Sequence, residues 1–109
     1  MIKKAKQLLF QKQAQIAAAV GHPLRIAILD FLKDGPQCVC DIAEQIGSER
    51  SNVSKHLSLL VSAGLLEYEK RGLRVIYCLK TPCILEFLDC MTKCVRQQVE
   101  ENKRLLRVI

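Results

Sequence analysis

Four helical segments, two alternating strands and a last helix follow one another along 109 residues. That order, ααααββα, predicts a mainly α fold with a small β-hairpin. Two observations carry the reading. A glycine or proline stands at nearly every join, and the apolar period switches from helical to alternating between Gly64 and Lys80. The length suits a single domain over residues 1–109, because domains usually run to ~100–150 residues. Half of the residues are hydrophobic and 26% are charged, which excludes a disordered chain. No run of roughly 18 apolar residues is present, which excludes a membrane span. The length excludes a large multi-domain enzyme.

The segment from Lys3 to Val20 is rich in Ala, Gln, Leu and Lys, which favour a helix, and Gly21-His22-Pro23 breaks it. Leu24, Ile28, Leu29 and Leu32 then recur at helical spacing until Asp34-Gly35-Pro36. Cys38 to Ile46 forms a short helix with Val39, Ile42, Ala43 and Ile46 on one face, stopped by Gly47. Ser48 to Ala63 forms the next, with Val53, Leu57, Leu60 and Val61 inward, ended at Gly64. Two such helices separated by a glycine turn make a helix-turn-helix candidate. Leu66, Tyr68 and Lys70 alternate with Glu67 and Glu69, and Leu73, Val75, Tyr77 and Leu79 alternate with Arg74, Ile76, Cys78 and Lys80. With Arg71-Gly72 turning between them, this stretch reads as a β-hairpin with a basic tip. Thr81 as cap and Pro82 at the first helical position start a last helix that runs to about Leu106. Its apolar stripe is Ile84, Leu88, Met91, Val95 and Val99. The whole is a winged helix-turn-helix. The first helix and the last stripe are more apolar than one small core can cover, which predicts a two-fold dimer through the first and last helices.

Seventeen Lys plus Arg against eleven Asp plus Glu leave a formal charge of +6. Stepping ~100° per residue from Val53, Lys55 points directly away from the core, with Ser51, Ser58 and Ser62 near it and Asn52 to one side. Short hydrogen-bonding side chains reach base edges and cations meet phosphates, so Arg50, Ser51, Asn52, Ser54, Lys55 and His56 are the candidate DNA-binding residues of this helix. Arg71 and Arg74, with Lys70 beside them, are the candidates on the wing. A Ser-rich face alone is more often simply solvated. Its conjunction with a basic hairpin in the right order points to double-stranded DNA. His56, about 60° from the core direction, is expected to pack and to donate to a phosphate, and His22 in its turn is expected to be structural. With no Trp, two Tyr and three Phe, stacking on bases is not this chain's method.

Six cysteines in a short chain suggest disulfides only in a secretory context. The N-terminal stretch is broken by Gln7, Gln11, Lys12, Gln13 and Gln15 and makes no signal peptide, which places the chain in the cytoplasm, with reduced thiols. Clustered thiols then read as metal ligands or redox sensors. Cys38 and Cys40 form a C-x-C at the start of a helix, where residues two apart point ~200° from each other. Both can hold one ion only if that first turn opens. Cys90 and Cys94, one turn apart in the last helix, need no distortion, and Cys83 lies on their stripe as a second-rank ligand. Cys78 reads as a buried small hydrophobe. Thiolates select soft ions.

Gln37-Cys38-Val39-Cys40-Asp41-Ile42 resembles the ELCVCDL box of the ArsR/SmtB metalloregulators, and the corresponding box of their cadmium- and lead-responsive members. Ser54-Lys55-His56-Leu57-Ser58-Leu59-Leu60 with Ala63-Gly64-Leu65 is similar to the family's recognition-helix pattern, and Arg71-Gly72 through Tyr77 to its wing. The resemblance spans about Ala18 to Leu79. It implies a homodimer that represses a metal-resistance operon and leaves its operator DNA on binding the ion. The chain departs from the family at three points. Ala43 stands where some arsenite boxes carry a third Cys, residues 1–37 hold no Cys, and the last helix lacks the Asp/His/His/Glu set of zinc-responsive members. The remaining thiolates must come from Cys83, Cys90 or Cys94, or the inducer needs only two. The expected inducer is arsenite or antimonite first and cadmium or lead second, with no organic cofactor and no membrane partner. A thiol redox or persulfide switch on the same fold is the alternative. An enzyme is not expected, since no C-x-x-C or thioredoxin-like βαβ order is present. A winged helix used only for protein contacts would lack the salt dependence of phosphate binding.

Overall fold

The computed structural model describes all 109 residues. Its elements run α1 (Lys4–Val20), α2 (Pro23–Phe31), β1 (Gln37–Cys38), α3 (Val39–Ile46), α4 (Arg50–Ser62), β2 (Leu66–Arg71), β3 (Arg74–Leu79) and α5 (Ile84–Val108), with one 3-10 turn at Leu32–Asp34. This is the winged helix-turn-helix expected from the sequence, with one strand added. The strand β1 is too short to show an alternation. It pairs antiparallel with β3, Gln37 opposite Tyr77 and Cys38 opposite Ile76, so the sheet order is β1-β3-β2.

Local chemistry sets the joins. Pro23 occupies the first turn of α2, where its missing N–H costs nothing, and the N-cap is His22, whose Nδ1 accepts the Leu24 N–H at 3.1 Å. Gly47 ends α3 at φ 73°, a conformation that lets its own N–H and that of Ser48 both donate to the Ala43 carbonyl.

The core gathers Ile28, Leu29 and Leu32 with Val39, Ile42 and Ala43 of α3, Val53, Leu57 and Leu60 of α4, and Leu65 and Leu66. Ala19 and Val20 reach it from the end of α1, and Ile84 from the start of α5. Burying a Leu or Ile of this kind is worth ~1.5–3 kcal/mol. Three such residues on one face of α4 fix its rotation and leave the opposite face to solvent. No single helix is long and apolar enough to cross a membrane.

Four local expectations are corrected. Cys38 lies in β1 and not in the helix, because pairing with Ile76 and capping α3 satisfy its backbone and side chain together. The hairpin turn is Gly72-Leu73, not Arg71-Gly72: Arg71 pairs with Arg74, and Leu73 stands fully exposed at the tip. Thr81 does not cap α5. Its hydroxyl donates to the Gly64 carbonyl at 2.7 Å, joining the end of β3 to the chain entering β2, and α5 starts after Cys83. Cys78 is half-buried and not a core residue, since it sits on the sheet face beside Glu67.

A candidate nucleic-acid interface and two separated thiol sets

Helix α4 presents Arg50, Ser51, Ser54, Lys55, Ser58 and Ser62 to solvent, on the side away from Val53, Leu57 and Leu60. No acid occurs within α4, and neither Arg50 nor Lys55 takes part in any of the chain's four ion pairs. These two cations are therefore available to an anionic partner. Asn52 is half-buried, and its Nδ2 donates to Ser48 Oγ at 2.8 Å. That bond ties the turn between α3 and α4 to the first turn of α4, where no side-chain cap is made.

On the wing, Arg71 and Arg74 face each other across the hairpin, and both are exposed. Arg74 is unpaired, whereas Arg71 Nε donates to Glu69 Oε1 at 2.6 Å. The basic tip read from the sequence thus carries an acid beside one of its cations. An exposed pair of this kind is worth only ~0–1 kcal/mol, so a phosphate can displace Glu69. Tyr68 and Tyr77, opposite in register, hold the two strands together with their rings 5.4 Å apart.

His56 does not project with the serines. Its ring lies 4.5 Å from that of His22, and its Nδ1 is buried with no hydrogen-bond partner. Burial, then the neighbouring His22 and Arg25, hold its pKa below the ordinary histidine value. His22 is structural, as expected, but through a cap that its place before Pro23 could have suggested.

The six cysteines are all free. Cys38 is buried, with Sγ accepting the Asp41 N–H at 3.4 Å, and Cys40 on the first turn of α3 is exposed. One sulfur is turned inward as a cap and the other outward. Cys83, at the start of α5, and Cys90 and Cys94, one turn apart within it, are exposed. Cys78 Sγ lies 3.8 Å from Glu67 Oε1, and burial together with the Glu67 and Glu69 carboxylates raises its thiol pKa. No three His, Cys, Asp or Glu side chains of one chain converge on a point that could hold a metal ion. The α3 thiols and the α5 thiols form separate sets. The sequence missed the inward turn of Cys38, because β1 has no period of its own to read.

The fold and the site have relatives. Residues 22–68 match the family described as bacterial regulatory protein, arsR family. The chain is 38% identical over 82 residues to the HTH-type transcriptional regulator NmtR of Mycobacterium tuberculosis, an overlap of 72% of this chain and 68% of that one. It is 37% identical over 77 residues to a cadmium resistance transcriptional regulatory protein CadC homolog of Staphylococcus aureus, covering 70% of this chain and 64% of that one. In three dimensions it is similar to the homodimeric winged helix-turn-helix DNA-binding domain of a possible ArsR-family regulator from Mycobacterium bovis. The TM-score is 0.80 at 25% identity, over 92% of this chain and 93% of that one.

Proposed function

The chain belongs to the ArsR/SmtB family of DNA-binding transcriptional regulators, which are not enzymes, and from that premise we propose that it is a homodimeric repressor that leaves operator DNA when a thiophilic ion binds its cysteines. Arsenite or antimonite is the first choice of inducer, and cadmium or lead the second. The cadmium-resistance relative supports this class of ion, and thiolates are its preferred donors. The repressor acts in the reducing cytoplasm, where the six free thiols remain available. Arg50, Ser51, Asn52, Ser54 and Lys55 on α4, with Arg71 and Arg74 on the wing, make the DNA contacts. The bare apolar faces of α1 and α5 join the two copies.

One observation carries the switch. Cys38 is the N-cap of α3, its sulfur turned into the protein, while Cys40 faces solvent. Both sulfurs can reach one ion only if Cys38 gives up the Asp41 N–H and the first turn of α3 opens. The donors are soft enough for the ion, and it is the geometry that must change. Val39, Ile42 and Ala43 belong to the same core as Val53 and Leu57 of α4, so opening that turn disturbs the support of the DNA-facing helix. DNA and ion then favour different shapes, and the coupling is reciprocal, typically ~1–3 kcal/mol. Cys90 and Cys94, with Cys83 in second rank, supply further thiolates from α5.

Serine is a good N-cap, so Cys38→Ser keeps the cap of α3 while removing the soft donor. The Cys38→Ser, Cys40→Ser double variant is expected to bind DNA as the parent does and to ignore arsenite and cadmium in anaerobic titrations. Release that persists in the double variant moves sensing to α5. Release by an oxidant, but by no ion, makes the thiols a redox switch.

A further inference from the structure

Only two buried side-chain polar atoms of this protein lack a hydrogen-bond partner, Arg25 Nε and His56 Nδ1, and they belong to one cluster. Its third member is His22. The His22 and His56 rings lie 4.5 Å apart at 43°, linking the N-cap of α2 to the middle of α4. The His22 Nδ1 accepts the Leu24 N–H at 3.1 Å, so that nitrogen must keep its lone pair. That bond exists only while Nδ1 carries no proton. A second proton removes the acceptor and leaves the first turn of α2 without its cap.

No acid offsets a charge here. Burial first, then His22 and Arg25 at the N-terminal end of α2, disfavour a proton on His56, and the helix dipole at that end is also positive. Residues 14–20 of α1 carry no ionisable group. Cys38, Cys40, Asp41 and Glu44 of α3 do not act on His56, nor do Glu67, Tyr68 and Glu69 of β2. His56 itself sits between the fully buried Leu57 and the outward Lys55, so a push on its ring is a push on α4.

We propose that His22 and His56 are positioning residues for DNA recognition: as a neutral stack they seat α4 against the start of α2, and protonating the stack unseats it. His56 is then not a phosphate donor but a spacer behind the residues that meet DNA. The sign follows from linkage. The folded chain disfavours the proton on His56, so between the ordinary value near 6.5 and the lowered one it holds fewer protons than the unfolded chain. Acid therefore removes the seated form as pH falls below about 6.5. Overall positive charge rises over the same range, so general attraction to phosphate does not fall with it. Lost discrimination with retained general binding is the signature. The proposal rests on α4 being the helix that reads DNA, and the test separates the two.

The full-length chain, kept reduced, is used to select bound duplexes from a random pool at about pH 8, well above the histidine range. Affinity for a selected duplex and for an unrelated one is then measured down to about pH 5.5 at fixed ionic strength. The ratio of the two is expected to fall by about tenfold or more, the equivalent of one pKa unit of coupling. In His22→Asn, which keeps a cap acceptor but does not titrate, and in His56→Gln, the ratio is expected to change by less than about threefold. Ring-proton resonances of the parent chain supply a readout that needs no variant to fold, with His56 expected to titrate below an ordinary histidine. A constant ratio in the parent chain, an equal fall in both variants, or a His56 titrating at or above the ordinary value overturns the proposal. A chain that selects no duplex at pH 8 fails the DNA-reading role of α4, and the proposal fails with it.

Discussion

The middle of this chain and its two ends are built on different terms. Between Ile28 and Leu66, α2, α3, α4 and the start of β2 supply most of the core. The long helices flanking it add little. Within α1 only Ala19 and Val20 are buried, and within α5 only Ile84, while Leu8, Leu9, Phe10 and Ile16 on one and Phe87, Val95, Val99 and Leu105 on the other stay exposed. Helices of 17 and 25 residues are too costly to order for so little burial. One chain completes the part that carries the candidate DNA-binding residues and leaves bare the apolar faces that a second copy could cover.

The largest expected effect breaks that second part. Val95 and Val99 are 57% and 46% exposed in one chain, four residues apart on α5. Placing carboxylates there, in Val95→Glu with Val99→Glu, buries charge in any two-fold contact, at a cost of several kcal/mol. Sedimentation is expected to show the parent as a dimer and the double variant as a monomer, with the dimer weakened about a hundredfold or more. If the monomer is also unfolded, the middle is not self-sufficient and the contrast fails.

The next effect sharpens the first part. Leu57 is fully buried at the centre of α4, and Leu57→Ala is expected to destabilise the chain by ~2–5 kcal/mol in urea titrations. Leu9→Ala, on the exposed face of α1, is expected to cost less than about 0.5 kcal/mol once the dimer has been broken by the α5 changes. Equal losses at the two leucines would erase the distinction between middle and ends.

Much of this was legible in the sequence because it is periodic. Val53, Leu57, Leu60 and Val61 announce the inner face of α4, and with it the outward serines and Lys55. The α5 stripe announces its own excess, since Val95 and Val99 continue a pattern that the core abandons after Met91. What escaped lies in contacts that have no period. The two residues of β1 are defined by β3, some forty positions away, and their pairing turns Cys38 inward. Asn52 bonding to Ser48, Thr81 to the Gly64 carbonyl and His56 stacking on His22 are single contacts made by folding. The Arg71–Glu69 pair is the exception, since residues two apart in a strand share a face and their opposite charges could have been read from the sequence.

That pair sets the smallest effect, on the edge of the self-contained part. Arg74 is free, while a phosphate approaching Arg71 would have to displace Glu69. The counterions released depend on how many phosphates are neutralised, not on what each cation gives up. Arg71→Ala and Arg74→Ala are therefore each expected to flatten the salt dependence of DNA binding by ~0.9 per lost contact. The two differ in what they leave behind. Arg71→Ala strands the Glu69 carboxylate near the phosphates and so weakens binding more than Arg74→Ala. Glu69→Gln removes the competitor, and it is expected to strengthen binding by at most ~1 kcal/mol while the slope stays as it was. A slope unchanged in both arginine variants takes the wing off the duplex. A slope that steepens in Glu69→Gln means that Arg71 reaches no phosphate until the acid is gone.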